Sequence, residues 1–424
     1  MNKMIYQIED IPPFRQTLVY AIQQVASVIV ATVLISDICG TPINSALFGA
    51  GVGTLLYQVI TKFKSPMFIS SSGATAGAVI GALTLGSGNY AFIMIGGLII
   101  FLTYLLFAIL VKKKGINIIN NLFPKTVIGS ITCVIGINLM GYINSYTMVN
   151  GESSYLGVGI ALLVAAGITL VSIYGKGFIT TIPFLFIILI AYICSAVLTK
   201  MGIVTLVDFN AFSFSSLFSI PDFAFFNCDF AAISIVEVIQ LIAIFLPVAL
   251  AAMMEHYTDT KVMSNLIDVD LMETPGLHRT LIGDGLASFI GTIVAGQPNT
   301  TYSESTSTTA FCKVASVRVI TVAAFIMILM SFFNPVQAFF NGIPSCIFAG
   351  ASIVLYGFIT LNGVKLLMEV DYKDQRNILL VCLTLSVGIS GIAFLNSAFA
   401  GVSLAMIFGL IMHQVIKFYD KKNK

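Results

Sequence analysis

Two stretches, Phe68-Ile-Ser-Ser-Ser-Gly-Ala-Thr75 and Gln297-Pro-Asn-Thr-Thr-Tyr-Ser-Glu-Ser-Thr-Ser-Thr-Thr309, decide the reading of this chain. Each is rich in Gly, Ser or Thr, and each lies among long apolar runs where a lipid-facing helix would otherwise be expected. Lipid offers no partner for a free N–H or C=O, so broken backbone at that depth persists only when buried in protein or lining a cavity. Both stretches are therefore expected to turn inward.

The surroundings make the bilayer the solvent. Of 424 residues, 58% are hydrophobic and 9% charged, and the mean hydropathy is +0.98. A spanning helix takes roughly 20 mainly apolar residues, so the length admits about 12 to 14 spans and no large soluble domain. The net charge of +2, with no basic run longer than Lys112 to Lys114, excludes a nucleic-acid surface. Cys39, Cys133, Cys194, Cys228, Cys312, Cys346 and Cys382 lie singly without CxxC pairs, so they read as small core residues, with neither a disulfide nor a metal site expected. The first apolar run follows Gln16 and is a full span long, which fits a retained helix better than a cleaved signal.

Apolar runs bounded by Gly, Pro, Asn or charge predict spans at 15–37, 44–63, 67–86, 90–111, 123–143, 155–174 and 178–200. A second set falls at 231–258, 279–296, 299–316, 317–333, 343–366, 377–396 and 398–418. The positive-inside rule tests the count. With a cytoplasmic N-terminus, Lys3, Arg15, Lys62, Lys64, Lys112 to Lys114, Lys125, Lys176, Lys261 and Arg279 fall inside. So do Lys313, Arg318, Lys365, Lys373, Arg376 and the Lys417 to Lys424 tail, leaving Lys200 outside. An even number of spans follows, with both termini cytoplasmic.

The halves resemble each other. Phe48-Gly-Ala-Gly-Val-Gly-Thr-Leu-Leu56 parallels Ile282-Gly-Asp-Gly-Leu-Ala-Ser-Phe-Ile290, Phe123-Pro124 parallels Ile343-Pro344, and at the first offset Ser70 to Gly73 lands on Glu304 to Ser307. Seven spans per half is odd, so the second copy is inverted, the plan of secondary transporters whose solute binds near the midplane at broken helices. The expected fold is thus an all-α polytopic membrane protein of about fourteen transmembrane helices in two inverted seven-helix repeats, with spans three and ten broken by short extended segments.

Acids within spans are costly, about 2.5–3.5 kcal/mol each on insertion scales, and persist mainly for function. Glu255, Asp259, Asp284 and Glu304 qualify. Glu255 and Asp259, spaced i and i+4, share a helix face, and two carboxylates so close in a poorly hydrated site do not both ionise easily. One of them becomes a proton binder. Asp259 is expected near the cytoplasmic helix end, with Lys261 as a possible counter-charge, and Asp284 sits between Gly283 and Gly285 in a close-packing stretch. His256, His278 and His413 read as structural. A planar solute bearing N–H donors and C=O acceptors suits carboxylates, which accept when ionised and donate when protonated. A cavity of acids without a basic residue at mid-depth does not suit an anion. No HExxH or GxSxG pattern indicates an enzyme.

Glu255-His256, Pro275-Gly-Leu-His-Arg279, Gly283-Asp-Gly285, Pro298-Asn-Thr-Thr-Tyr-Ser-Glu304 and Tyr356-Gly357 together resemble the nucleobase-ascorbate, or nucleobase-cation symporter, family, with bacterial uracil permeases the nearest type. The resemblance spans nearly the whole chain. It implies a core domain made of 15–111 and 231–333, a gate domain made of 123–200 and 343–418, and short antiparallel strands in spans three and ten that meet at the substrate. It further implies Glu255 and Glu304 as substrate carboxylates, with Gly73, Ser303, Ser72 and Tyr302 beside them. Glu255, Asp259, Asp284 and Tyr356 would couple a proton, with no other cofactor, and a homodimer would form through the gate.

Three departures accompany the resemblance. Ser303, Ser305 and Ser307 replace Gly, Asn and Gly. Gly73 replaces a phenylalanine near the base, which implies a larger cavity. Asp259 replaces a histidine, as in xanthine-type members. The expected function is proton-coupled uracil symport across the inner (plasma) membrane by alternating access. A purine, xanthine or urate, is the alternative substrate, and an anion exchanger or channel on the same fold is the reading from another class.

Overall fold

The computed structural model describes residues 4–115, 124–149, 152–207, 209, 216–231, 233–392 and 401–422. Each expected segment contains a helix. The first seven are α1 (Phe14–Cys39), α2 (Ile43–Ile60), α3 (Ala76–Leu85), α4 (Ala91–Lys114), α5 (Lys125–Met140), α6 (Tyr155–Tyr174) and α7 (Pro183–Lys200). The second seven are α8 (Ile235–Ile267), α9 (Leu277–Ala295), α10 (Ser303–Cys312), α11 (Val317–Ser331), α12 (Ser345–Met368), α13 (Gln375–Ile389) and α14 (Gly401–Lys422). Among the described residues, nine helical stretches are long and apolar enough to cross a membrane. Phe123, the expected end of span thirteen at 393–396 and the expected start of span fourteen at 398–400 lie outside the described residues.

Spans three and ten are broken as expected. The strands β1 (Ile69–Ser71) and β4 (Asn299–Thr301) precede α3 and α10, while β2 (Met148–Val149) and β3 (Glu152–Ser153) form a small hairpin between α5 and α6. β1 and β4 run antiparallel, pairing Ile69 with Thr301, Ser70 with Thr300 and Ser71 with Asn299. The ladder extends through the Ser72 amide to the Pro298 carbonyl (2.9 Å) and the Tyr302 amide to the Phe68 carbonyl (3.1 Å). Backbone groups freed by interrupting two helices thus satisfy one another away from lipid.

The strands also correct the repeat register. Phe48 and Ile282 are 234 residues apart, but the strand starts, Ile69 and Asn299, are 230 apart. The link from α9 to β4 is shorter than that from α2 to β1, so Gly73 corresponds to Ser303 rather than to Ser307.

Close approach of helices explains the repeated glycines. A Cβ on Gly283 would lie 2.8 Å from Tyr57 Cδ2, and one on Gly285 would lie 2.7 Å from Tyr104 Cβ, so α9 seats between α2 and α4 only without side chains there. Asn299 fastens β4 in the same region by donating from Nδ2 to the carbonyls of Gly49 (3.0 Å) and Ala287 (3.2 Å).

Helices pack in two groups. α1, α2, α4, α8, α9 and α11 contact one another extensively, as do α5, α6, α12, α13 and α14, with α7 against α6. Between the groups α8 meets α14 and α1 meets α7 and α12. Connections sort by end as the span parity requires. The N-terminal segment lies along the α10–α11 link through the Ile5 amide to the Lys313 carbonyl (2.8 Å) and the Ala315 amide to the Tyr6 carbonyl (2.8 Å). It also reaches the end of α8 through Gln7 Nε2 to the Ile267 carbonyl (3.4 Å). The α3–α4 turn instead meets the α7–α8 connection through Asn89 Nδ2 and the Asp229 carbonyl (2.7 Å).

One boundary differs substantially from expectation. α8 begins at a capping box formed by Ser234 and Glu237 and continues for 33 residues, past the expected end at 258. The polar run from Glu255 to Lys261 reads as a helix exit in sequence. It remains helical because its polar side chains turn toward the strands and the cavity. Asp259 is therefore two turns inside α8, and it hydrogen-bonds to Ser303 and Thr301 rather than relying on Lys261.

Candidate functional site

A cavity of about 940 Å³ lies between the strand pair, α8 and α12, and extends to Lys365 and Glu369 at the end of α12. Gly73, Glu255, Asp259, Tyr302, Ser303 and Glu304 all line it. These residues come from two breaks in regular structure, the turn after β1 and the start of α10, and from the inward face of the continuous helix α8.

Asp259 is held firmly. Ser303 donates from Oγ to Oδ1 at 2.8 Å and Thr301 from Oγ1 to Oδ2 at 3.1 Å, so both carboxylate oxygens are engaged by the β4–α10 junction. Glu255, one turn earlier on the same face, is different. Among the described residues nothing hydrogen-bonds to its carboxylate, which faces the cavity free to accept from a solute. Glu304 occupies the first turn of α10, where the free amides and the positive end of the helix dipole favour an anion. Its side chain lines the same cavity as Glu255. The Tyr302 hydroxyl is engaged by the strands, donating to the Ser71 carbonyl at 2.7 Å and so pinning β4 to β1.

Three expected residues stand apart from the cavity. The Ser72 amide is used in the strand ladder, and its Oγ is buried without a partner among the described residues. Tyr356 is buried on α12 with its hydroxyl likewise unpartnered and does not reach the acids. Asp284 is wholly buried behind β4, where Oδ2 lies 3.4 Å from His256 Nδ1 and 3.5 Å from Thr300 Oγ1. Two further contacts frame the same histidine: Thr260 Oγ1 at 3.4 Å from Nε2, and the Tyr57 ring edge-on with centroids 6.3 Å apart. Sequence reasoning passed over this His256–Asp284 pair. The available signal was position, since the residue following Glu255 points about 100° further round α8, toward the glycine-flanked Asp284.

The serine departures resolve into different roles. Ser303 serves Asp259, Ser307 lines the cavity and donates to the Ser303 carbonyl (3.0 Å), and Ser305 turns away to Gln24 Oε1 (2.9 Å). Nor is the space beside Gly73 open: a Cβ there would lie 2.9 Å from Ile359 Cδ1. The α12 wall, with Leu355, Phe358, Ile359, Asn362 and Lys365, was also missed in sequence. Asn362 and Lys365 in an otherwise apolar helix were its visible sign.

Broken helices meeting from two inverted halves, with acids facing a cavity at their junction, define a multi-pass membrane transport protein. Residues 15–397 match the Permease family (Xan_ur_permease), and the chain belongs to that family. It is 31% identical over 423 residues to the uracil permease of Bacillus caldolyticus, covering 98% of this chain and 95% of that protein. With the uracil permease of Paenibacillus larvae it shares 29% identity over 432 residues, covering 99% of each. The fold is also similar to the transmembrane domain of the cyanobacterium bicarbonate transporter BicA, with a TM-score of 0.66 at 12% identity over 96% of this chain and 99% of that one. The chain is a permease, not an enzyme.

Proposed function

We propose that this permease is a proton-coupled symporter of a nucleobase, uracil first, that works by alternating access. The observation that carries the reading is the Glu255 carboxylate, without a hydrogen-bond partner among the described residues, facing the same cavity as Glu304 at the α10 N-terminus. Two carboxylates converging on one space match the N–H edge of a planar base, each N–H to carboxylate bond being worth about 1.5–3 kcal/mol. The names of the two relatives support uracil. The cavity of about 940 Å³ exceeds what one pyrimidine fills, which keeps xanthine or urate as the second reading.

Glu255 is the proton site in this reading, because a carboxylate facing a poorly hydrated cavity gains most from neutralisation when no solute is bound. Asp259, tied to Ser303 and Thr301, transmits its state to the β4–α10 junction. Asp284 with His256 forms the buried reserve behind the strands. The group containing α1 to α4 and α8 to α11 is the core, and α5 to α7 with α12 to α14 the gate. Movement of one against the other opens the cavity to alternate sides of the inner membrane, with both termini in the cytoplasm. Since the cavity extends toward Lys365 and Glu369, on the lysine-rich end, this conformation is open inward. A competition panel on the purified protein, measuring displacement of labelled uracil by pyrimidines, purines and bicarbonate, tests the substrate class. Displacement by bicarbonate alone would refute the nucleobase assignment.

A further inference from the structure

Gly73 and Ile359 approach the cavity from opposite groups of helices. Gly73 opens the single turn of 3-10 helix linking β1 to α3, and Ile359 lies mid-way along α12; both line the cavity. A Cβ on Gly73 would stand 2.9 Å from Ile359 Cδ1 and 3.6 Å from Ile35 Cδ1. The first distance is well inside the roughly 3.5–4.0 Å at which carbon atoms pack, so the Ile359 methyl occupies the volume a side chain at 73 would take. This is not general crowding along α12, because a Cβ on Gly357 meets nothing within 4 Å among the described residues.

The polar residues around the cavity can serve the edge of a planar ring but not its faces. Ligand sites pair a few polar groups with apolar walls, and the α12 side of the cavity supplies Leu355, Phe358, Ile359 and Leu366, with Phe184, Val262 and Phe311 on other elements. Of these, Ile359 is the one that reaches the turn after β1. We infer that Ile359, seated in the notch left by Gly73, is the apolar wall against which the ring lies, and that the Gly73–Ile359 pair sets the size of ring admitted. The inference rests on the nucleobase reading. It makes Ile359 a specificity-determining residue carried by α12, across the cavity from Gly73.

The test uses the full-length protein in detergent, with Kd for uracil and xanthine measured for wild type, Ile359→Val, Ile359→Ala, Gly73→Ala, Gly73→Phe and the Gly73→Phe/Ile359→Ala pair. Apolar pocket changes of this size alter discrimination by about 10–200-fold. Ile359→Ala is expected to shift the xanthine-to-uracil preference at least about tenfold toward the purine, with Ile359→Val shifting it less in the same direction. Gly73→Ala and Gly73→Phe should weaken uracil binding and lower Tm without substrate, and adding Ile359→Ala to Gly73→Phe should recover both. An unmoved preference in Ile359→Ala, or a double variant no better than Gly73→Phe, overturns the inference while leaving uracil binding by wild type intact. Wild type that binds neither base overturns the nucleobase reading, and this one with it.

Discussion

Ser303 Oγ donates to Asp259 Oδ1 at 2.8 Å, tying the first residue of α10 to a carboxylate on α8. With Thr301 on the other oxygen, the strand that breaks span ten is registered against the helix that carries Glu255. Losing one hydrogen bond to a charged group costs about 1.5–3 kcal/mol in total. Ser303→Ala should therefore weaken uracil binding about 10- to 100-fold through misplacement of the β4–α10 junction, whereas Ser305→Ala, whose hydroxyl points to Gln24, should change it far less. Isothermal titration of both variants checks the contrast; equal losses would show that Asp259 is not held in this way.

Glu255→Gln and Glu304→Gln should each abolish high-affinity binding, because an amide replaces an acceptor with a donor at the point where an N–H must be received. The expected loss is at least about 100-fold by thermal shift or equilibrium binding. Tyr356→Phe removes a hydroxyl that has no partner among the described residues and is expected to leave binding within about threefold, well under 1 kcal/mol. Retained affinity in Glu255→Gln would mean the site lies elsewhere.

Stability should follow the glycine geometry. Gly285→Ala forces a carbon to 2.7 Å from Tyr104 Cβ, which belongs to the stem of the side chain and cannot rotate away, so a loss of about 1–3 kcal/mol is expected. Gly357→Ala meets open space in a helix interior and should be neutral or stabilising by up to about 1 kcal/mol. Thermal unfolding in detergent separates the two, and a destabilised Gly357→Ala would contradict the packing described.

Lys125 and Glu369 form an exposed ion pair joining the start of α5 to the end of α12, and the ammonium holds the Glu369 carboxyl below its usual range. Its folded-state pKa being depressed, the pair's contribution is present at neutral pH and is lost as pH falls through that lowered value. Exposure limits it to under about 1 kcal/mol. Lys125→Ala should thus cost little at pH 7 and nothing at acid pH, measured as Tm against pH.

Much of the fold was legible because most spans are written as apolar runs, and the breaks at Ser70 and Asn299 stand out as polar runs among them. The end of α8 was not legible. A sequence such as Glu255 to Lys261 reads as an exit when its polar face actually lies against polar strands. The repeat slipped by four residues because nothing in Ser65 to Phe68 announces a longer link than Gly296 to Pro298. At the site the acids were visible by their cost in a membrane, and the structure gathers Glu255, Asp259 and Glu304 around one cavity. His256 was hidden by its neighbour, since its partner Asp284 lies away from the cavity that Glu255 faces. Ile359 carries no pattern at all: an isoleucine in an apolar helix looks the same whether it faces lipid or fills the notch of a distant glycine.

Uptake of labelled uracil into proteoliposomes under an imposed pH gradient tests the central claim most directly. Inward-directed protons should accelerate uptake and accumulate uracil above equilibrium, with Glu255→Gln losing both effects. Uptake indifferent to the gradient, or absent for uracil and xanthine alike, would contradict the account.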